Sequence, residues 1–161
     1  MTGISYDTTY FPESIVRDGV NGCCHQVAYA LHARTGWPIG VLWRDPVDDG
    51  HMIFREPEPI HVFCLAPDGR AVDIEGARLQ ADLIARWRLS ARRHKALRIE
   101  GYVDIAQYEH AMNESWPMLI PSAFAVRCAD AELTKSETFL KLVAELRGAD
   151  AQANGSLSSN C

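Results

Sequence analysis

Three residues whose side chains can together catalyse acyl transfer, Cys24, His61 and Asp73, occur in that order in the first half of the chain. A cysteine thiolate is a nucleophile, a histidine can take the thiol proton, and a carboxylate can hold the imidazole in the required tautomer. Each residue alone also has an ordinary structural role, since a buried cysteine is usually a small apolar side chain. The chemistry therefore depends on the elements that position them.

The cysteine lies at the start of a predicted helix over residues 21–34, whose apolar stripe begins at Cys24. Asn21 is the expected N-cap, which places Cys24 in the first helical turn. Free backbone N–H groups and the positive end of the helix dipole favour a thiolate there. Cys23 is the alternative nucleophile. We prefer Cys24 because it continues the stripe and would face the sheet.

The histidine and the aspartate lie on a predicted hairpin with strands at 60–66 and 70–74 and the loop Pro-Asp-Gly at 67–69. Proline and aspartate suit a type I turn, and glycine suits the left-handed residue that closes a three-residue loop. Counting back from that loop makes His61 and Asp73 diagonal neighbours on one face, about 7–8 Å apart at the backbone. A loop of two or four residues would put Asp73 on the other face.

The other elements predict an α+β fold with a mostly antiparallel sheet that is covered on one side only, the side on which the cysteine helix packs. Residues 1–148 are expected to form one such domain, and the small polar residues 149–161 a disordered tail. The remaining predictions are a strand at 39–43, a surface loop at 44–59 with a possible short strand at 52–54, a helix at 79–87, a strand at 97–102, a helix at 104–113, a strand at 122–127, and a helix from a Thr134–Glu137 capping box to Gly148.

Composition excludes several classes of protein. The chain has 161 residues, 47% of them hydrophobic, and a net charge of −5, which argues against nucleic-acid binding. No apolar run reaches the roughly 18 residues of a membrane span, and no secretory signal is recognisable. Five cysteines, an odd number, favour free thiols in a reducing, cytoplasmic compartment; export by another route stays open. The basic residues between 86 and 98 are expected to form a solvated face, or else to steer an acidic partner.

Residues 21–31, NGCCHQVAYAL, resemble the cysteine-bearing helix start of papain-like and transglutaminase-like cysteine hydrolases. His61-Val62-Phe63 and the stretch DGRAVD at 68–73 resemble the histidine and aspartate strands of the same superfamily. The similarity covers about residues 20–78. It implies a papain-like core and a Cys-His-Asp triad made of Cys24, His61 and Asp73.

Candidates for the rest of the site are less specific. The backbone N–H of Cys24 is one expected oxyanion donor, Asn21 and Gln26 are candidates for oxyanion or substrate contacts, and Trp43 is a candidate pocket wall. No Cys-x-x-Cys motif and no phosphate-binding glycine loop is present, so we expect neither a metal nor a cofactor.

Two hypotheses follow from the sequence. The first is a thiol hydrolase or acyltransferase (a protease, a deamidase or a transglutaminase-like enzyme) that attacks a peptide bond or a glutamine side chain of a protein or peptide through an acyl-thioester. The second is a non-catalytic protein-binding module of the same fold, with Cys24 in its core. The two differ in the reactivity that they predict for the Cys24 thiol.

Overall fold

The computed structural model describes residues 8–46, 56–90 and 96–155. Within these residues the chain forms six α-helices, one short 3₁₀ helix and a five-stranded antiparallel sheet, which confirms the α+β prediction. In chain order the elements are α1 (Glu13–Val20), α2 (Cys24–Thr35), β1 (Ile39–Arg44), β2 (Glu58–Leu65), β3 (Ala71–Asp73), β4 (Gly76–Arg78), α3 (Gln80–Ser90), β5 (Leu97–Tyr102), α4 (Ile105–Asn113), the 3₁₀ helix Pro117–Leu119, α5 (Ala123–Leu133) and α6 (Glu137–Gly155).

The sheet order is β4-β3-β2-β1-β5, and each pair of neighbours is antiparallel. The β2–β3 hairpin has the predicted three-residue loop, because the Ala66 N–H donates to the Arg70 carbonyl at 2.9 Å and Leu65 pairs with Ala71. Gly69 closes the loop with a φ of 85°, a conformation that other residues rarely adopt. This register keeps His61 and Asp73 on one face, as predicted.

Helices cover both faces of the sheet, so the expectation of a single covered side is wrong. On the α2 face, the Cys64 thiol donates to the Ala28 carbonyl at 3.2 Å. On the opposite α3 face, Leu83 of α3 packs with Leu42 and Phe63 in a second apolar cluster. The reason lies in β2, where the consecutive residues 61–64 are all buried instead of alternating between core and solvent.

The approach to α2 differs from the prediction. Residues 13–20 form an extra helix, α1, and Asn21 ends that helix instead of capping the next one. Gly22 then reverses the chain with a φ of 117°, and Cys23 occupies the N-cap position of α2. Cys24 is therefore the first residue of the helix, two positions closer to its N-terminus than expected. Gly36 ends α2 as predicted.

The predicted strand at 122–127 is wrong, because these residues begin α5. The Ser122 hydroxyl caps the helix by accepting the Ala125 N–H at 3.2 Å. The alanines that follow Ser122 have high helix propensity, which favours the helix over a strand. The short strand β4 had not been predicted.

The last helix has a different cap and a different end from those predicted. Ser136 accepts the Phe139 N–H at 3.2 Å and caps α6, whereas Thr134 ends α5. The helix also continues through Gly148 to Gly155, because an exposed glycine costs a helix only about 1 kcal/mol. Part of the predicted tail is thus helical, and its residues 156–161 lie outside the described residues, as does the possible strand at 52–54. No helix in the described ranges is long and apolar enough to span a membrane.

Candidate active site

The Cys24 thiol reaches the sheet at the point where β3 ends. β3 pairs with β2 at Cys64 and Leu65 and then turns into β4 through residues 74–75. The edge of β2 nearer its N-terminus is thereby left for the start of α2, and the Val62 backbone hydrogen-bonds the Cys24 sulfur. Because β3 turns away into β4, this edge of β2 is not covered by a strand within the described residues. Cys24, which comes from the α2 face, can therefore contact His61, whose ring lies on the α3 face.

His61 and Asp73 form a buried pair. His61 Nε2 lies 2.8 Å from Asp73 Oδ2, and the two residues are only 1% and 4% exposed. The other carboxylate oxygen, Oδ1, accepts the Glu75 N–H at 2.8 Å and lies 3.5 Å from the Arg78 guanidinium. Burial raises the pKa of Asp73, but these partners outweigh it and hold the carboxyl ionised, below its usual range.

The His61 ring is held in one orientation by two aromatic neighbours. Phe63 stacks on it with a centroid separation of 5.9 Å, and Trp87 of α3 lies 5.6 Å away. Because Nε2 is engaged by Asp73, Nδ1 is the nitrogen left for the Cys24 thiol, which contacts the imidazole. Nδ1 makes no well-aligned hydrogen bond within the described residues. Such catalytic contacts are often loose before substrate binds.

The thiol and the imidazole shift each other's protonation in the directions that catalysis requires. Burial raises the pKa of Cys24, but the contacts with the His25 and His61 imidazoles, the charge on His61 and the Val62 backbone lower it to about 6. Burial lowers the pKa of His61, but its hydrogen bond to Asp73 and its contact with Cys24 raise it to about 9. Between these two values the stable form is a thiolate beside an imidazolium.

A cavity of about 210 Å³ opens onto this ion pair. Cys24, which is 7% exposed, and His61 both line this cavity. Other residues of the lining come from the α1–α2 connection, from α3 and from the 3₁₀ helix: Asn21, Gly22, Trp87 and Leu119. The site therefore brings together a thiol, an imidazole and space for a small group.

The start of α2 also offers a backbone donor. The Gln26 and Val27 N–H groups bond to the Cys23 carbonyl at 3.0 and 3.2 Å, which leaves the N–H of Cys24, the first helical residue, without an intrahelical acceptor. Asn21, which ends α1, lines the cavity next to Cys24. Both residues remain the candidates for oxyanion contacts.

The structure places Gln26 and Trp43 away from this cavity. Gln26 lines a separate cavity of about 200 Å³ together with Cys23 and Cys128. Trp43 lines a third cavity, where the Arg98 guanidinium lies 5.6 Å from the centre of its ring. Sequence proximity to the long loop had suggested Trp43, but its place in β1 turns it toward the α2 face, away from the His61 ring.

Three contributions to the site were not predicted from the sequence. His25 contacts the Cys24 thiol, Trp87 packs on the His61 ring, and the buried Glu75 binds Arg78 and Arg86 next to Asp73. Glu75 accepts from Arg78 at 3.1 Å and from Arg86 at 2.9 Å. Arg86 therefore belongs to a part-buried ion-pair network, whereas it was expected on a solvated basic face. Leu83 and Trp87 are apolar residues of the same helix close to Arg86, and they could have indicated that this side of the helix is buried.

No protein-family model, no curated protein and no solved structure matches this chain. Among the described residues, no three histidine, cysteine or acidic side chains lie close enough together to hold a metal ion. The functional interpretation therefore rests on the geometry and chemistry of the site itself.

Proposed function

We propose that the protein is a thiol-dependent hydrolase or acyltransferase with a papain-like or transglutaminase-like core. Cys24 is the nucleophile, His61 is its base and ion-pair partner, and Asp73 orients the imidazole. The observation that carries this proposal is that the Cys24 thiol contacts the buried His61–Asp73 pair and that Cys24 and His61 line one cavity.

The reaction follows from the protonation states at neutral pH. The Cys24 thiolate attacks the carbonyl carbon of an amide, and the oxyanion is stabilised by the Cys24 N–H and by Asn21. His61 gives its Nδ1 proton to the leaving nitrogen as the carbon–nitrogen bond breaks, which leaves an acyl-thioester. His61 then takes a proton from water or from an amine, which attacks the thioester and restores the thiolate.

The cavity favours a small neutral group as the part of the substrate that reacts. Among the described residues, Cys24 and His61 are the only ionisable side chains in its lining, and about 210 Å³ accommodates one side chain or a short backbone segment. A peptide bond or a glutamine carboxamide fits these conditions, so we expect a protein or peptide substrate and no cofactor. A thiolate nucleophile also suits a reducing, cytoplasmic compartment.

A first experiment tests acyl-thioester formation with p-nitrophenyl acetate, followed by intact-mass analysis and peptide mapping. We expect one acetyl group on Cys24, with p-nitrophenolate release that continues as the thioester hydrolyses. Cys23→Ser is the matched control and should behave like the wild type. Acetylation spread evenly over Cys23, Cys24 and Cys128, with no turnover, would contradict the proposal.

A second experiment determines the acceptor and the scissile bond. Casein is incubated with the protein with and without hydroxylamine, and ammonia, hydroxamate and new N-termini are measured separately. Ammonia alone indicates a deamidase, ammonia with hydroxamate a transglutaminase-like enzyme, and new N-termini a protease. The Cys24→Ala variant, which keeps the cavity but removes the nucleophile, sets the background for each product.

The second candidate function is a protein-binding module without chemistry. Two exposed apolar side chains favour it: Met118 and Phe124, which are 65% and 68% exposed and lie on either side of residues 119–123, next to the cavity wall at Leu119. Under this alternative Cys24 should alkylate slowly, and replacing His61 should leave its rate unchanged.

A further inference from the structure

His25 is a buried imidazole that does not belong to the proposed Cys24–His61–Asp73 triad. It is 6% exposed, and its Nδ1 is buried without a hydrogen bond to any described residue. Leaving a buried polar atom without a partner costs about 1–3 kcal/mol, so an apolar residue here would stabilise the fold better. The polar atom therefore indicates a function other than stability.

The group next to this imidazole is the nucleophile. His25 directly follows Cys24 in the first turn of α2, and its side chain contacts the thiol. The sulfur also contacts His61, whose Nδ1 likewise lacks a well-aligned bond to any described residue. Two buried imidazoles thus contact one sulfur, each with a ring nitrogen that is unpartnered among these residues, and a thiolate can accept from both.

We propose that His25 is a second donor to the nucleophile: its imidazole presents Nδ1–H to the Cys24 sulfur, so that the thiolate is held between two imidazoles. The division of labour follows from their surroundings. His61 is paired with Asp73 and carries the charge and the mobile proton. His25 supplies a hydrogen bond to the thiolate. The importance of this contact for turnover rests on the proposed function, but its effect on the thiol does not.

The arrangement has a distinctive kinetic consequence. An added donor increases the fraction of thiolate at low pH but makes each thiolate less nucleophilic, with a Brønsted slope of about 0.4–0.5. His25 should therefore speed alkylation at acid pH and slow it slightly at alkaline pH. The other titratable groups that interact with the charge on Cys24 are Cys23 and Tyr108, whose raised pKa values keep both neutral at pH 5 and so nearly constant.

The test compares His25→Ala, His25→Asn and His25→Gln in the full-length protein. Thiolate formation is followed by ultraviolet absorbance, and iodoacetamide labelling of Cys24 by peptide mapping across pH. An asparagine amide overlaps the position of Nδ1, whereas a glutamine amide reaches further, toward Nε2. His32→Ala is the matched control, because His32 lies on the same helix but bonds the Trp37 carbonyl at 2.7 Å.

For His25→Ala we expect the pH midpoint of thiolate formation at Cys24 to rise by about one pH unit, because one hydrogen-bond donor is lost. Labelling should then slow about threefold at pH 5 and become about two- to threefold faster at pH 8. His25→Asn should restore the wild-type profile, and His25→Gln should resemble alanine. His32→Ala should leave both the midpoint of thiolate formation and the labelling rate at each pH as in the wild type.

Three results would overturn the inference: an unchanged midpoint in folded variants, a uniform loss at every pH, or identical behaviour of the asparagine and glutamine variants. If His25→Ala does not fold, the difference between the His25→Asn and His25→Gln variants in thiolate midpoint still tests the inference. A His25-dependent midpoint without ester turnover would refute the proposed function alone. If ester turnover depends on Cys24 but the acid limb of its pH profile is the same with and without His25, this inference alone would be refuted.

Discussion

Cys23 and Cys24 are adjacent in the chain, yet the fold gives their thiols opposite properties. Cys24 contacts two imidazoles, and its pKa falls to about 6. Cys23 faces a different cavity, and burial together with the negative charges of Asp18 and Cys24 raises its pKa. One thiol is therefore charged at neutral pH, while its neighbour is protonated.

The comparison shows that a position at a helix N-terminus does not by itself activate a cysteine. Both thiols lie within one residue of the start of α2 and share its dipole. What differs is the set of groups around each sulfur: imidazoles and a strand N–H for Cys24, a carboxylate for Cys23. Local charge and hydrogen bonding outweigh the helix end in this site.

The largest expected effect comes from replacing each thiol in turn. Cys24→Ser should lower the turnover of p-nitrophenyl acetate by at least about 10⁴-fold, because a serine hydroxyl stays protonated there. Cys23→Ser should leave turnover within about twofold of the wild type, since it removes only a protonated thiol. Initial rates of nitrophenolate release at pH 7 measure both, and equal losses in the two variants would remove the distinction between the thiols.

Removing the base should make Cys24 resemble Cys23. In His61→Ala the pKa of Cys24 is expected to return toward 9, which lowers the thiolate fraction at pH 6 by several hundredfold while raising the reactivity of each thiolate. The net result is labelling of Cys24 by iodoacetamide that is about 20-fold slower at pH 6. Mapping the labelled peptides supplies an internal control, because the rate at the exposed Cys128 should not change. An unaltered Cys24 rate would favour the binding module.

The sequence was sufficient for the part of the site whose geometry is local. The Pro-Asp-Gly loop sets the register of β2 and β3, and the register sets the face shared by His61 and Asp73. The partnership of these two side chains could therefore be predicted by counting residues. The start of α2 could not, because it depends on how α1 ends at Asn21 and Gly22, and α1 had not been predicted.

The missed contacts are those that need tertiary structure. Adjacent residues of a helix point about 100° apart, so sequence alone gave no reason to bring His25 and Cys24 to one place. Trp87 reaches His61 only because α3 packs on the second face of the sheet. The same argument applies to Trp43, whose location depends on which face of β1 it occupies.

A smaller effect is expected from Asp73→Asn, which keeps the side-chain shape but removes the charge. Asp73, together with Cys24, raises the pKa of His61 to about 9 against the effect of burial, so the imidazolium persists up to that pH. Without the carboxylate that pKa falls, and the protonated form is lost as the pH rises through a lower value. The alkaline limb of kcat/KM should move from about 9 toward neutrality, whereas the acid limb near 6 belongs to Cys24.

The pH profile of ester turnover measures this change, with about a tenfold loss at pH 8 and a smaller one at pH 6. Asp68→Asn is the control, because Asp68 lies on the same hairpin and pairs only locally with Arg70. An alkaline limb that stays at the wild-type pH in a folded Asp73→Asn variant would show that Asp73 does not hold the proton on His61.

The smallest expected effect concerns the carboxylate beside Cys23. In a Cys24→Ala background, Asp18→Asn removes a negative charge that raises the pKa of Cys23, so labelling at pH 7 should become faster. The Asp18 side chain is 71% exposed, and solvent screens it, so the gain should stay below about twofold and vanish at high salt. Asp82→Asn, on the exposed side of α3, should change nothing. A tenfold gain would mean that the charge of Asp18, and not burial, keeps the Cys23 thiol protonated. The difference between the two thiols would then depend on Asp18 as much as on the imidazoles.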